Sequence, residues 1–147
     1  MSASVTVRHN FETGHRLPIL GGKCQNLHGH SWWAEITVTA PGQPMTVVEF
    51  GAFKAKVREW IDTHLDHGLC LGKDDPLATI LPEYGKVYRM GEDSPSEGLD
   101  WPTVENVAVL LARVGQDCLD EVPRAKDARV TSVQVSETHV NRAGWSE

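Results

Sequence analysis

The stretches VTVRHNFETGH at Val5–His15 and HGHSWWAEITV at His28–Val38 decide the fold of this chain. In both, apolar, aromatic and histidine residues occupy every second position, apart from Thr13 in the first. Such alternation, with β-branched residues among the apolar ones, is typical of a half-buried strand. The segment Pro18–Lys23 between them contains proline and glycine, which favour a loop. The sequence therefore predicts two strands joined as a long hairpin.

After the hairpin the apolar period lengthens. Residues 50–65 repeat apolar side chains at spacings of three and four, which predicts an amphipathic helix. A second helix is predicted to begin near Thr103, where the threonine hydroxyl can cap the helix and Glu105 lies near the positive end of its dipole. Val130–Thr138 alternates again and predicts another strand.

Less regular segments complete the chain. Val87–Met90 and Ala143–Trp145 are candidates for short strands, and the remainder of 70–101 is predicted to be an irregular excursion. The order strand, strand, helix, helix, strand indicates an α+β domain with the helices on one face of an antiparallel sheet. We expect a single domain over residues 1–147.

Composition narrows the function classes. The 147 residues have a formal net charge of −6, which disfavours nucleic acid or an anionic membrane as the main partner. No apolar run approaches the roughly 18–20 residues that span a bilayer. The N-terminus lacks the pattern of a secretory signal, and three scattered cysteines do not suggest a disulfide framework. We therefore expect a reduced, cytoplasmic protein.

The sharpest chemical signal is His28-Gly29-His30 on the second predicted strand. Residues two apart on a strand point to one face, and His15 has the same parity on the neighbouring strand. Three histidines with an open fourth position are typical of a catalytic zinc site. The alternative is that one or more of them are ordinary hydrogen-bonded core or surface histidines, and spacing alone does not decide between the two.

Other residues allow several readings. Cys24, four residues before His28, could be a fourth metal ligand, a nucleophile or base, or an inert thiol. The pair Asp66-His67 suits a proton relay, but it equally suits a helix C-terminus whose histidine complements the dipole. Cys70 and Cys118 are interpreted as structural.

Several short motifs, in order along most of the chain, resemble the 6-pyruvoyltetrahydropterin synthase / 6-carboxytetrahydropterin synthase family. They are Phe11–Leu17, Cys24–His30, Val48–Gly51, Leu65–His67, Pro102–Asn106 and Val135–Thr138. The resemblance implies the tunnelling fold, a four-stranded antiparallel sheet with two helices on one face. Subunits of this fold assemble into an oligomeric barrel, so it also implies a homo-oligomer, typically a hexamer, with active sites between subunits.

The resemblance also implies roles for individual residues. His15, His28 and His30 would bind Zn²⁺, and no organic cofactor is expected. Cys24 would move a proton on the substrate, with Asp66 and His67 as a relay contributed across a subunit interface. Glu137 would anchor the pterin ring, supported by Thr103 and Glu105. Arg16 and Lys23, which are close to the motif in the sequence, are candidates for steering a triphosphate.

The three-residue spacing between Cys24 and His28 resembles the bacterial 6-carboxytetrahydropterin synthases. The implied reaction converts 7,8-dihydroneopterin triphosphate and water to 6-carboxytetrahydropterin, acetaldehyde and triphosphate, a step of 7-deazaguanine (queuosine-type) biosynthesis. Alternatives are the pyruvoyl-forming reaction or a related side-chain cleavage, a non-enzymatic zinc-containing pterin-binding module, and a zinc hydrolase unrelated to pterins. The chain departs from the family pattern at Glu49, at Gly68–Leu71, in the length of 70–101 and at Thr138–Val140, which bears on substrate identity more than on zinc.

Overall fold

A long antiparallel hairpin forms the centre of the computed structural model, which describes all residues from Met1 to Glu147. Strand β1, Ser2–His15, pairs along its whole length with β2, His28–Pro41, so that His15 lies opposite His28. Every second residue from Val7 to His15 is buried, whereas the alternate positions face outward or are only partly covered. The two strands predicted from alternation are therefore confirmed.

The sheet has six strands, not the four expected. Four strands join the two of the hairpin: β3 (Gly68–Gly72), β4 (Val87–Met90), β5 (Arg129–Ser136) and β6 (Arg142–Ser146). Their order across the sheet is β4-β3-β1-β2-β5-β6. The sheet is also mixed, because β1 with β3 and β3 with β4 are parallel pairs while the other pairs are antiparallel.

This corrects the predicted four-stranded antiparallel sheet, and the reason lies in β3. Its sequence, GLCLG, begins and ends with glycine, which weakens an isolated strand and usually indicates a loop or bulge. The strand forms because β1 and β4 pair with it on either side and Cys70 and Leu71 are fully covered. The excursion over 70–101 accordingly holds regular structure as well as turns.

Two long helices cover the sheet. Helix α1, Phe50–His64, begins after Glu49, whose carboxylate accepts the backbone N–H of Gly51 at 3.1 Å. A short helix, α2, spans Leu77–Ile80, and α3 spans Val104–Leu119. Thr103 caps α3 by accepting the Asn106 N–H at 3.1 Å, as its sequence predicted.

One hydrophobic core lies between the sheet and the two long helices. Thirty buried residues form it, most of them contributed by the hairpin, by β3–β5 and by α1 and α3. Gly115 lets α3 approach closely, since a Cβ there would stand 3.2 Å from the Ile36 Cγ2 atom. No helix is both long and apolar enough to cross a membrane. The hairpin end that carries the three histidines lies at one edge of this core, where loops 16–27 and 100–103 meet it.

Candidate metal centre and active site

The three histidines predicted as metal ligands converge on one point. One ring nitrogen from each of His15, His28 and His30 lies within 4.8 Å of the others. The pairing register explains this, because His15 is directly opposite His28 and His30 is two residues further along the same face of β2. The ring centroids are 4.6 Å (His15–His28), 4.8 Å (His28–His30) and 5.1 Å (His15–His30) apart.

Backbone carbonyls set the orientation of two of these rings. The Nδ1–H of His15 donates to the Pro102 carbonyl at 2.8 Å, and the Nδ1–H of His28 donates to the Asn26 carbonyl at 2.7 Å. A carbonyl can only accept, so each ring holds its proton on Nδ1 and presents a lone pair at Nε2. Such outer hydrogen bonds are typical of metal-binding histidines. Three imidazoles, two of them oriented in this way, fit Zn²⁺ with a position left for another ligand.

Burial favours the uncharged form of two of the three imidazoles. His15 is only 1% exposed, and burial lowers its pKa to about 4 despite the opposing hydrogen bond to Pro102. Burial also lowers the pKa of His30, although Glu137 acts in the opposite direction. Both rings are thus unprotonated near neutral pH, the form that binds a metal ion. Trp32 stands edge-on to His15 and His30 and donates its indole N–H to the Thr13 carbonyl at 2.9 Å.

Glu137 brings a carboxylate to the histidines. Its Oε2 atom lies 3.8 Å from the His15 Nε2 and 3.7 Å from the His30 Nε2. Glu137 and His30 also line an open cleft of about 620 Å³, a size suited to a small-molecule ligand. The walls of this cleft include Trp33, Ser136 and Thr138, and the Arg8 guanidinium stacks over the Trp33 ring at 4.3 Å.

Cys24 lies outside the histidine cluster. It is in a short 3₁₀ turn, Gly22–Gln25, within the loop that connects β1 to β2, and its thiol is exposed. The Leu17 N–H donates to the Cys24 carbonyl at 2.6 Å, which ties the turn to the end of β1. All three cysteines are free, and burial raises the pKa of the Cys70 and Cys118 thiols, the latter to about 11.

Asp66 and His67 form the predicted pair, but away from the histidine cluster of the same chain. The His67 Nδ1–H donates to Asp66 at 2.8 Å, and the Glu12 N–H donates to the other carboxylate oxygen at 2.8 Å. Burial alone would raise the pKa of Asp66, but these two hydrogen bonds and the charge of Arg58 bring it below the usual value. His67 is 80% exposed. Glu12 precedes His15 by three residues on β1, which corresponds to about 10 Å along the strand.

The remaining candidates differ in their surroundings. Thr103 uses its hydroxyl to cap α3, and Glu105 is exposed in the first turn of that helix. Arg16 forms a bidentate ion pair with Asp75, with nitrogen–oxygen distances of 2.7 and 2.6 Å. Its guanidinium is therefore already paired with a carboxylate of the same chain. Lys23 is on the surface of the 3₁₀ turn.

Sequence reasoning missed the groups that orient the histidines. The Pro102 carbonyl is 87 residues from His15 in the chain, and a backbone acceptor leaves no residue-type signal. Trp32 could have been found, because it shares the parity of His28 and His30 on β2. The Arg8–Trp33 stack is formed by facing strands and follows from their register only once the pairing is known.

Comparison with known proteins places the chain among pterin-processing proteins. Two curated relatives, from Rickettsia typhi and Rickettsia conorii, are both named 6-carboxy-5,6,7,8-tetrahydropterin synthase. The first is 36% identical over 111 residues, 72% of this chain and 75% of its own length. The second is 32% identical over 138 residues, 90% of this chain and 92% of its own. The solved 6-pyruvoyl tetrahydropterin synthase of Caenorhabditis elegans has the same fold, with a TM-score of 0.66 and 19% identity over 100% of this chain and 96% of that one.

A family model gives the assignment directly. The model described as 6-pyruvoyl tetrahydropterin synthase matches residues 4–147, which includes the hairpin, both long helices and every candidate site residue. The motifs quoted from the sequence thus lie within one matched region. This chain belongs to the 6-pyruvoyl tetrahydropterin synthase family.

Proposed function

We propose that this protein is a zinc-dependent 6-carboxytetrahydropterin synthase. The reaction would convert 7,8-dihydroneopterin triphosphate and water to 6-carboxytetrahydropterin, acetaldehyde and triphosphate, as a step of 7-deazaguanine biosynthesis. The observation that carries the proposal is the three-histidine cluster, in which Nδ1 hydrogen bonds leave the Nε2 atoms of His15 and His28 free, in a chain whose relatives have the carboxy-forming name.

The reaction needs no external oxidant or reductant. The bond between C1′ and C2′ of the substrate side chain breaks, and so does the bond between C3′ and its ester oxygen, which leaves with the triphosphate. C2′ and C3′ are then released as acetaldehyde, with C3′ as the methyl carbon. C1′ becomes the carboxylate, and the electron pair it gives up reduces the dihydropterin ring to the tetrahydro level. One water supplies the remaining oxygen and hydrogens. A site that moves protons and stabilises negative charge is therefore sufficient.

His15, His28 and His30 would hold the ion, with the Pro102 and Asn26 carbonyls fixing two of the rings. Zinc would supply Lewis-acid polarisation of the side-chain oxygens of the substrate. Trp32 and the buried His15 exclude water from the inner side of the centre. The open cleft beside Glu137 would then receive the pterin ring.

Proton transfer would fall to Cys24 and to the Asp66–His67 pair. The Asp66 carboxylate, held ionised by two hydrogen bonds, fixes the His67 proton on Nδ1 and leaves Nε2 free to accept a proton. A positioned base or acid typically contributes about 10²–10⁴-fold to the rate. Because His67 is exposed and separated from the histidines of its own chain, we propose that it serves the site of a neighbouring subunit in a homo-oligomer.

The decisive experiment is product analysis. The purified, zinc-loaded protein is incubated with 7,8-dihydroneopterin triphosphate, and products are identified by mass spectrometry. A 6-carboxypterin species with acetaldehyde supports the proposal. A pyruvoyl product would retain the site and overturn the carboxy-forming reaction. No turnover, with zinc and pterin both bound, would favour a non-enzymatic binding module.

Variants separate metal binding from chemistry. His28→Ala should lose both zinc and turnover, because it removes one of three ligands. Cys24→Ala should retain zinc and lose turnover. Cys118→Ala is the matched control, since this thiol lies in the apolar stripe of α3, and it should keep both. If Cys24→Ala is as active as the Cys118 variant, the proposed role of Cys24 is wrong.

A further inference from the structure

The Glu137 carboxylate stands in a position that is unfavourable without a cation. His15 donates its only ring proton to Pro102, so the Nε2 atom that faces Glu137 is a lone pair. The separation of 3.8 Å exceeds that of a hydrogen bond. No other group donates a hydrogen bond to this carboxylate. An acceptor oxygen therefore faces an acceptor nitrogen, and a cation between them would relieve the repulsion.

The distances fit a shared ion. Zinc bonds to nitrogen and oxygen measure about 2.0–2.2 Å, so neighbouring ligand atoms of a tetrahedral site are roughly 3.4 Å apart. The Glu137 Oε2 atom is 3.7 and 3.8 Å from two of the three histidine nitrogens. It is thus within a few tenths of an ångström of a ligand-to-ligand edge. Three imidazoles and one carboxylate make a complete tetrahedral donor set.

We infer that Glu137 is the fourth metal ligand of the substrate-free protein and leaves the ion when a pterin ring enters the cleft. This inference rests on the zinc binding of the proposed function and adds a second role to the residue implied to anchor the ring. The carboxylate would exchange one partner, the ion, for another, the amino and N–H groups of the pterin. The fourth position would then open only when the substrate is present to fill it.

The local structure permits such an exchange. The Glu137 backbone is fixed, because its N–H donates to the Asn141 carbonyl at 3.2 Å across the β5–β6 turn. Its side chain is 21% exposed and borders the cleft of about 620 Å³. Rotation of the side chain about this fixed point moves the carboxylate from the histidines toward the cleft. No shift of the strand is needed.

Metal affinity gives the first test. Zinc affinity is measured by competition with a chromophoric chelator for the wild type, Glu137→Gln and the control Glu35→Gln. Glu35 is on the adjacent strand β2, borders the same cleft and carries the same charge, but it pairs with Arg8. We expect Glu137→Gln to weaken zinc at least as much as loss of an outer-shell partner does, roughly 10- to 100-fold. The zinc affinity of the Glu35 variant should stay within about twofold of the wild-type value. Equal effects of the two variants on zinc affinity would overturn the inference.

The second test uses the wild-type protein and does not depend on any variant folding. The protein is loaded with Co²⁺, whose visible spectrum reports its ligands, and titrated with unsubstituted pterin, which has the ring but no side-chain oxygen to reach the ion. If pterin removes Glu137, the spectrum should change to that of the Co²⁺-loaded Glu137→Gln protein. Pterin binding, followed by its fluorescence, with an unchanged Co²⁺ spectrum would refute the exchange.

The outcomes also separate this inference from the proposed function. A wild-type protein that binds no zinc contradicts both. A protein that binds zinc and turns over dihydroneopterin triphosphate, but whose zinc affinity and Co²⁺ spectrum are the same after Glu137→Gln, keeps the proposed function and loses the fourth-ligand role.

Discussion

Arg16 directly follows the buried His15 and forms a bidentate ion pair with Asp75, whose side chain is fully buried. Removing one partner of a buried pair leaves an uncompensated charge, which costs roughly 3–5 kcal/mol when both are buried. Because Arg16 remains 22% exposed, we expect Arg16→Ala to lower the free energy of unfolding by about 2–3 kcal/mol at neutral pH. Urea unfolding measures this loss, and Arg16→Lys, which keeps the charge without the fork, should lose less.

The same pair has a pH signature. Burial alone would raise the pKa of Asp75, but the hydrogen bonds from Arg16 and the Leu77 N–H hold it below the usual value. The wild-type pair therefore stabilises the protein fully when the pH is above about 4, the ordinary pKa of Asp. This stabilisation is lost as the pH falls through the lower pKa that Asp75 has in the folded state. In Arg16→Ala only the Leu77 N–H still opposes the effect of burial on the pKa of Asp75, so the difference in stability between the two proteins should shrink on acidification. A constant difference would contradict this account.

His9 should make the protein sensitive to mild acid. It is 5% exposed, burial and the nearby Arg58 and Lys54 lower its pKa to about 4, and its Nε2 has no hydrogen-bond partner. Between pH 6.5 and about 4 the unfolded chain binds a proton here that the folded chain does not, so stability falls as the pH falls. His9→Leu in metal-free protein should reduce that slope by up to about 1.4 kcal/mol per pH unit. Parallel profiles of the two proteins, from urea unfolding across this range, would show that His9 is not responsible.

The sequence could predict which histidines cluster but not the groups that support them. His15, His28 and His30 were predicted because strand parity and the HxH spacing are local features, and the family motifs reinforced them. The acceptors that orient the rings come from distant or featureless backbone, as with Pro102. The position of the Glu137 carboxylate against the histidines depends on how the end of β5 lies beside the hairpin, which no local pattern encodes.

At the scale of elements, the end of β3 supports the loop that holds His15. A Cβ at Gly72 would stand 2.7 Å from the Asp100 carbonyl oxygen and 2.5 Å from the Trp101 Cε3 atom. Backbone cannot yield as a flexible side chain can, so we expect Gly72→Ala to displace this loop and destabilise the protein by about 1–3 kcal/mol. Because Pro102 follows in the same loop, zinc affinity should fall as well, as chelator competition would show.

Gly85→Ala is the matched control, because a Cβ there meets nothing within 4 Å. It should leave zinc affinity unchanged and not lower stability, since replacing glycine reduces the entropy of the unfolded chain. If Gly72→Ala destabilises the fold but binds zinc as tightly as this control, the loop does not transmit the orientation of His15.

The elements that escaped prediction are the short ones. Helices α1 and α3 and the hairpin each contain three or more repeats of their apolar period. The sequence therefore predicts whether each is a helix or a strand. Strands β3 and β4 have five and four residues, too few for a period to show, and β4 was only a candidate. Their parallel pairing depends on the connection 73–86 returning the chain to the same edge of the sheet.

At the scale of the whole molecule, two features of the single chain bear on the proposed assembly. The sheet ends in two edge strands, β4 and β6, which present unpaired backbone groups. The Asp66–His67 pair, in turn, lies on the surface about 10 Å along β1 from the histidines of its own chain, and it is proposed to serve those of a neighbouring subunit. Assembly with other copies of the chain would cover the edge strands and bring His67 to the histidines of a neighbouring subunit. It also predicts how much activity mixed oligomers should have.

Suppose that each active site takes Cys24 from one subunit and His67 from its neighbour. Cys24→Ala and His67→Ala should each be inactive alone, yet an equal mixture refolded together should recover about a quarter of wild-type activity, because half the sites have each residue intact. If both residues come from one chain, every subunit carries a lesion and the mixture stays inactive. Wild type refolded with the double variant provides the control: shared sites predict about a quarter of the activity, whereas sites within one chain predict about half.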